Sequence, residues 1–432
     1  MRILLDPGVY DMRNKGNVAL LQVAVDRIHG MWPQATMEVL TESPHILKLY
    51  CPGVKPVNPH GFDGAASGSR TKLVQDLIPR GITRSLLELR EALWRRKSSW
   101  VSPSLLTASI HPNNGTVELH DDPQDCDNIE NILNGAHLFV ATGAQYMSDA
   151  CRNDALKVLD RFEIAARRGI PTAMVGQGFG PIKDQVLLSR SKTVLPQIDL
   201  IFVREKTASP QLLASLGVDP SHVFLTGDDA IEMAYKSRQN RQGNGIGVGL
   251  RVAEYTEVDS RHIQNMKEGI QKAAQKYGAP LISIPISHSA HELDDKVLQQ
   301  ILSGYGKVSQ DWRRFNSPQD IIRKVSRCRL VVAGTFHPIV FALAQGIPAI
   351  GLAKSGMYMD KFLGLADLFG DGLQIIRLDD ESLEQQIIAA IDRAWNSAGQ
   401  VRPGLLDAAC KQIEMGQAAY QRIFDLVAGK NH

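Results

Sequence analysis

The stretches Asp122–Gly143 (DPQDCDNIENILNGAHLFVATG) and Ser317–His337 (SPQDIIRKVSRCRLVVAGTFH) decide the fold, because each reads as a version of the other. Both open on Pro-Gln-Asp, a helix-start signal, then pass through a short helix into a buried apolar strand and end in a Gly-containing loop. Further on, Gly-Ile-Pro precedes a second apolar strand in RRGIPTAMVGQG (Arg167–Gly178) and again in AQGIPAIGLAKS (Ala344–Ser355). A repeat of this kind implies two related α/β units.

Working outward, the short apolar runs HLFVAT, PTAMVGQG, LIFVRE, GIGVGLR, PLISIPI, LVVAGT and PAIGL alternate with helical patterns, which predicts parallel sheets covered on both faces. The N-terminus repeats the theme: RILLD is a strand, PGVYDMRNKGN a loop and VALLQVAVDRIHGMW a helix, with Gly16 and Asn17 directly before it and Asn17 as its expected cap. The units join in the polar, Gly-containing SRQNRQGNG, residues 237 to 245. LLDAACKQIEMGQAAYQRIFDLVAG is a long amphipathic helix at the end of the chain, able to pack back across the first unit. Residues from about 52 to 114 are rich in Gly, Ser and Pro, with one helix pattern at TRSLLELREALWRRK; this reads as an acceptor-side insertion or flap. Trp94, Arg95, Arg96, Lys97 and Trp100 there form either a contact with an anionic membrane surface or a solvated helix end with a tucked-in tryptophan.

At 432 residues the chain exceeds what one core usually serves, and 44% apolar with 22% charged residues is the mix of a folded soluble protein. A formal charge of +2 without a basic stripe argues against nucleic acid as a partner. Asp6 and Pro7 interrupt the N-terminus before a signal-peptide core could develop, and no apolar stretch is long enough to span a bilayer. The expectation is a cytoplasmic chain, with peripheral contact at the inner membrane face left open by the tryptophan-basic cluster. Cys51, Cys126, Cys151, Cys328 and Cys410 are scattered, odd in number and never paired as CxxC, so neither a disulfide scaffold nor a zinc site is expected. Cys328 reads as a small buried residue rather than a nucleophile. HExxH, GxSxG and P-loop sequences are all missing, and no cofactor or metal is expected.

Ligands of open parallel sheets bind beyond the carboxyl ends of the strands, so the residues there are the candidates: Asn17, Gly143, Gln177 to Gly180, Arg204, Arg251, His288 and Gly334 to His337. His337 starts a helix directly after a strand. With Gly334, Thr335 and Phe336 it forms either an anion cradle, the histidine acting as acid or hydrogen-bond donor, or a plain helix cap. Gly176, Gly178 and Gly180 either give a ligand access to backbone or let strand and helix approach closely. Arg204 and Arg251 follow strands, where guanidinium groups suit phosphate and carboxylate. Asp228 and Asp229 offer a base for an acceptor hydroxyl or a helix cap. His288 and His291 read as part of a solvated loop, not a metal set.

KGNVALL, ATGAQYMSD, VGQGFGPI, VREKTASPQLLASLGV with GDDA, GLR, and GTFHPIVFALAQGIPAIGL followed by MDKF occur in family order over nearly the whole chain; by these blocks it resembles the polysaccharide pyruvyl transferases. The resemblance implies α/β architecture with two Rossmann-like domains facing a cleft, similar to the glycosyltransferase B arrangement. The acceptor-side domain would span 1–238, the donor-side domain 239–400 and a C-terminal helix 401–432. It further implies transfer of a pyruvyl group from phosphoenolpyruvate to a sugar of a glycan or polysaccharide precursor, which can be lipid-linked, as a ketal with release of phosphate. Carried onto this chain, the resemblance puts His337 and the loop before it at phosphoenolpyruvate, with Arg251 as an anion-binding partner; joined with the strand-end reading, it makes His337 and Asp229 the expected catalytic residues. Asn17, Gly143, Gln177, Gly178, Gly180, Arg204, Arg251, Gly334, Thr335, Phe336 and Lys361 are the expected substrate contacts. Two positions depart from the family pattern: Gly16-Asn17 runs straight into VALL, and Thr335 stands where the donor loop often has arginine. A nucleotide-sugar glycosyltransferase on the same frame is the alternative activity, and a catalytically silent binding protein a third.

Overall fold

The computed structural model describes residues 1–60, 130–288, 294–309 and 317–430. The helix pattern at 83–97, the tryptophan-basic cluster, Cys126, His291, the first Pro-Gln-Asp and most of the irregular 52–114 stretch lie outside these residues.

The chain begins β1 (Arg2–Asp6), α1 (Lys15–Met31), β2 (Thr36–Leu40), α2 (Pro44–Tyr50) and β3 (Lys55–Val57). It continues with β4 (Leu138–Ala141), β5 (Ala144–Met147), α3 (Arg152–Arg167), β6 (Thr172–Phe179), α4 (Gln185–Val194), β7 (Leu200–Val203), α5 (Ala208–Ser215), β8 (Val223–Leu225) and α6 (Ala230–Lys236). Then come β9 (Gly245–Gly249), α7 (Ser260–Tyr277), β10 (Leu281–Ser283), α8 (Asp294–Leu302), α9 (Pro318–Val325) and β11 (Cys328–Ala333). The last elements are α10 (Phe336–Ala344), β12 (Ala349–Ala353), α11 (Gly356–Phe369), β13 (Leu373–Arg377) and α12 (Leu383–Lys430).

Two parallel sheets result. The first has eight strands in the order β3-β2-β1-β4-β6-β7-β8 with β5 beside β6, and the second has five in the order β10-β9-β11-β12-β13. Strand order reverses at β1/β4 in one sheet and at β9/β11 in the other, the topological switch points where an α/β sheet opens a crevice for ligand. Two Rossmann-like domains are therefore present, as the repeat implied. The inner strands are buried, LFVA of β4 and AIGLA of β12 completely, because helices cover both faces, whereas the edge strands β3, β8 and β13 are partly exposed.

The halves do not merely touch. Ala19 and Leu20 of α1 and Ala230, Ile231 and Ala234 of α6 share one apolar cluster with Ile321 of α9, Val331 of β11 and Ile339 to Ala344 of α10. Backbone also crosses the seam: Lys15 N–H donates to the Ile286 carbonyl at 2.8 Å, and Asn14 forms an isolated antiparallel bridge with Ser287. Helix α12 spans far more than the expected C-terminal segment. Leu383, Ile387, Ala390, Ile391 and Ala394 pack in the second domain's core; Leu405 and Ala409 join the shared cluster; Tyr420, Ile423 and Val427 pack in the first domain's core. The helix continues through Pro403, and its apolar stripe finds burial along the whole path.

Two further readings are corrected. Asn14, not Asn17, caps α1: its side chain accepts from the N–H groups of Gly16 at 3.0 Å and Asn17 at 3.4 Å, and the helix begins one turn-fragment earlier, at Lys15. His288 is buried rather than solvated, its Nδ1 3.5 Å from Asp295. Cys328 is fully buried, and that burial raises its thiol pKa, as befits a core residue.

Arg27 of α1 pairs with Asp229 at 2.7 Å and Glu232 at 2.8 Å, and the Tyr420 hydroxyl of α12 donates to Asp229 at 3.0 Å. Removing the cation leaves Asp229 buried without its countercharge. Arg27→Ala should therefore cost roughly 3–5 kcal/mol in urea denaturation, whereas the exposed Arg377→Ala should change little.

Candidate active site

A cleft of about 400 Å³ opens at the two switch points. The first domain contributes Asp11, Asn14 and Asn17 after β1, Gln145 and Tyr146 after β4, Asp154 of α3 and Arg204 after β7; the second contributes Arg251 after β9, Ile286 and Ser287, Thr335 to His337 and Lys361.

His337 lies in the first turn of α10 and is 7% exposed. Its place depends on Gly16, because a Cβ built on that residue would fall inside the imidazole ring. Glycine at the start of α1 thus lets the first domain close over the second domain's histidine. Among the described residues the Nε2 atom is buried without a hydrogen-bond partner, and the nearest acid is Asp228 Oδ2 at 4.0 Å. Burial, reinforced by Arg204, Lys361 and Arg251, holds the His337 pKa well below its ordinary value, so the imidazole is neutral at pH 7. Burial pushes Asp228 up to about 6, against the pull of Arg204.

Arg204 is 5% exposed and held on several sides: it donates to Gln145 Oε1 at 2.6 Å, pairs with Asp228 at 3.4 Å and lies 4.2 Å from the centre of the Phe336 ring. Its phenyl partner belongs to the other domain. Arg251 is clamped by Asp294 and donates to the Tyr255 hydroxyl at 3.0 Å. Lys361 of α11 rides 4.8 Å above the Tyr358 ring. Cations from both domains thus converge with the N-terminal turns of α1, α10 and α11, each of which presents a residue to the cleft. At α10 and α11 the caps Thr335 and Ser355 make no side-chain bond to the first turn; the Thr335 hydroxyl donates to the Gly249 carbonyl instead. Such an array suits a small ligand with several negative charges.

The expected substrate contacts and His337 fall into three groups. Asn17, Arg204, Arg251, Thr335, Phe336, His337 and Lys361 line the cleft. Gly178 borders an adjoining crevice with Gln145 and Arg204, and a Cβ there would sit 2.9 Å from the Arg204 Nε. Gly143, Gln177, Gly180 and Gly334 lie beneath. A side chain at Gly143 would meet the Gly176 carbonyl, Gln177 donates to the Thr142 carbonyl at 2.8 Å, Gly180 has φ +83°, and Gly334 N–H donates to Gly249. Asp229 does not fit the role of acceptor base, because both its oxygens are engaged by Arg27 and Tyr420 away from the cleft. Sequence reasoning missed Asp11, Gln145, Tyr146 and Asp154. The first two of those positions, and Tyr146, carried a signal in lying just after strands β1 and β4; Asp154 sits on a helix and carried none.

The polysaccharide pyruvyl transferase family model matches residues 14–356. The chain belongs to this family. It is accordingly a transferase, and its match runs from the α1 cap through the start of α11. No curated protein matches the sequence. Among solved structures, the chain is similar to the UDP-GlcNAc 2-epimerase from Neisseria meningitidis bound to UDP-GlcNAc, at 12% identity and TM-score 0.57 over 99% of this chain and 100% of that one. It also resembles the UDP-GlcNAc 2-epimerase from Methanocaldococcus jannaschii (12% identity, TM-score 0.54, 92% and 93% covered). A third similar structure is the calicheamicin glycosyltransferase (11% identity, TM-score 0.51, 99% and 98% covered). At such identities the likeness concerns the fold, the glycosyltransferase B arrangement.

Gly16→Ala should displace the His337 ring and lower both melting temperature and catalytic turnover, while Gly30→Ala, in the same helix with open space around it, should leave both intact or raise stability by about 0.5–1 kcal/mol. Thermal melts of the two variants read this directly.

Proposed function

We propose that the chain transfers a pyruvyl group from phosphoenolpyruvate to a sugar of a glycan precursor, forming a ketal and releasing phosphate. The observation that carries the reading is the convergence of Arg204, Arg251 and Lys361 with helix N-termini around a buried, unpartnered His337. Phosphoenolpyruvate brings a phosphate and a carboxylate on three carbons and needs this density of positive charge. A nucleotide sugar, the alternative donor, would instead ask for groups to read a base and ribose.

The chemistry requires a proton on the donor's methylene carbon, attack of an acceptor hydroxyl on the adjacent carbon, and departure of phosphate as a second hydroxyl closes the ketal. His337 is the acid of this scheme. In the free protein it is neutral, because burial, reinforced by the surrounding cations, opposes a positive charge on the ring. An anionic donor cancels those cations, and Asp228 at 4.0 Å then stabilises an imidazolium. Thr335, in place of an arginine, leaves the anion to Arg204, Arg251 and Lys361. For the acceptor hydroxyl the base is Asp154, which faces the cleft from the first-domain wall and has a carboxyl pKa raised by burial. It replaces Asp229 in that role.

The sign of the pH effect follows. The His337 pKa is depressed without ligand and rises with it, so donor binding takes up a proton between those two values, and affinity climbs as pH falls through the higher one. Calorimetry with phosphoenolpyruvate in buffers of different ionisation heat should register this uptake, and His337→Gln should diminish it and abolish phosphate release. Equal uptake and undiminished release in that variant would remove His337 from the mechanism. A larger thermal shift with UDP-sugars than with phosphoenolpyruvate would favour the alternative donor.

Asp154→Asn should leave the thermal shift caused by phosphoenolpyruvate unchanged while slowing phosphate release in the presence of acceptor about a hundredfold, within the usual range for loss of general-base catalysis. Full turnover in this variant returns the search for the base to Asp11.

A further inference from the structure

Asp294, which does not line the cleft and which no sequence motif marked, gathers an unusual set of bonds. It stands at the start of α8, is 1% exposed, and engages Arg251 through both carboxylate oxygens, at 2.8 Å from Nε and 3.3 Å from Nη2. The Oδ2 atom also accepts from the backbone N–H groups of Ile286 at 2.8 Å and Ser287 at 2.9 Å. That same Ile286 offers its carbonyl to Lys15 N–H, and Ser287 bridges to Asn14. Two functions otherwise distant in sequence therefore end on one carboxylate: the aim of a cleft arginine and the seating of the α1 N-terminus, whose Gly16 closes over His337.

We infer that Asp294 is a positioning residue that couples the orientation of Arg251 to the backbone seam between the domains, so that the donor's anion contact and the histidine's cover are set together. A bidentate carboxylate fixes the guanidinium in plane and direction, which a single neutral acceptor cannot do. Its shared oxygen carries the 286–287 segment with it. The anion half of the inference rests on the donor reading above; the seam half does not.

The test uses the full chain with Asp294→Asn, which keeps the side chain's shape, together with Arg251→Ala and the double variant. Hydrogen exchange reads the seam: the Lys15 amide should exchange faster in Asp294→Asn while amides of β12 in the core keep their protection. Titration with phosphoenolpyruvate and with inorganic phosphate reads the anion contact. Asp294→Asn should weaken affinity roughly tenfold, the scale of one charge-assisted hydrogen bond, with no further loss in the Arg251→Ala background. Unchanged Lys15 exchange, or losses that simply add in the double variant, would overturn the coupling. Should the unaltered protein bind neither probe, the donor reading fails by itself, and the exchange result still decides the role of Asp294.

Discussion

Buried guanidinium groups cannot stand unpaired, and the architecture of the cleft follows from how two of them are satisfied. Arg204 takes Asp228, Gln145 and the Phe336 ring; Arg251 takes Asp294 and Tyr255. In each case the partners do more than neutralise. Asp228 is also the acid nearest His337, and Asp294 also grips the segment that meets α1. Satisfying the arginines thereby fixes the histidine's electrostatic surroundings and the seam that covers it.

This arrangement also explains why the histidine is poised rather than charged. Burial, reinforced by Arg204, Lys361 and Arg251, keeps the ring neutral in the free protein. On the proposed mechanism, the group that makes the imidazole useful as an acid is the anionic donor itself, which would link binding to the supply of the proton that the chemistry consumes. Asp228, raised towards neutral pH by its own burial, extends the range over which the pair can share charge.

Much of the fold was legible because its signals are local and repeated. Apolar strands preceded by Gly-Ile-Pro, and loops leading into helices, declare parallel α/β units whatever their surroundings, and the residues just past β7, β9 and β11 proved to line the cleft. The failures have a common cause in long-range contact. Asp229 looked like Asp228 in sequence; only Arg27, about two hundred residues earlier, and Tyr420, about as many later, distinguish a buried structural carboxylate from one beside the histidine. His288 sat in polar company and is nevertheless enclosed. The C-terminal helix was expected over 401–432, yet α12 starts at Leu383 and runs on through Pro403, because packing against three successive cores outweighs the lost backbone bond. Gly16 read as a loop residue, and the reason for its missing side chain stands on the other domain.

The shared core and the continuous α12 have a consequence for how a ligand arrives. Since apolar packing and backbone bonds hold the two walls together, folding assembles the site before any encounter, and little ordering remains for the ligand to impose. On the anionic-donor proposal, Arg204, Arg251 and Lys361 then attract the ligand from a distance, against the acids Asp11 and Asp154 on the same walls. Capture of an anion is governed by diffusion and attraction at a distance, and its rate is expected to fall with ionic strength far more steeply than the stability of the fold does.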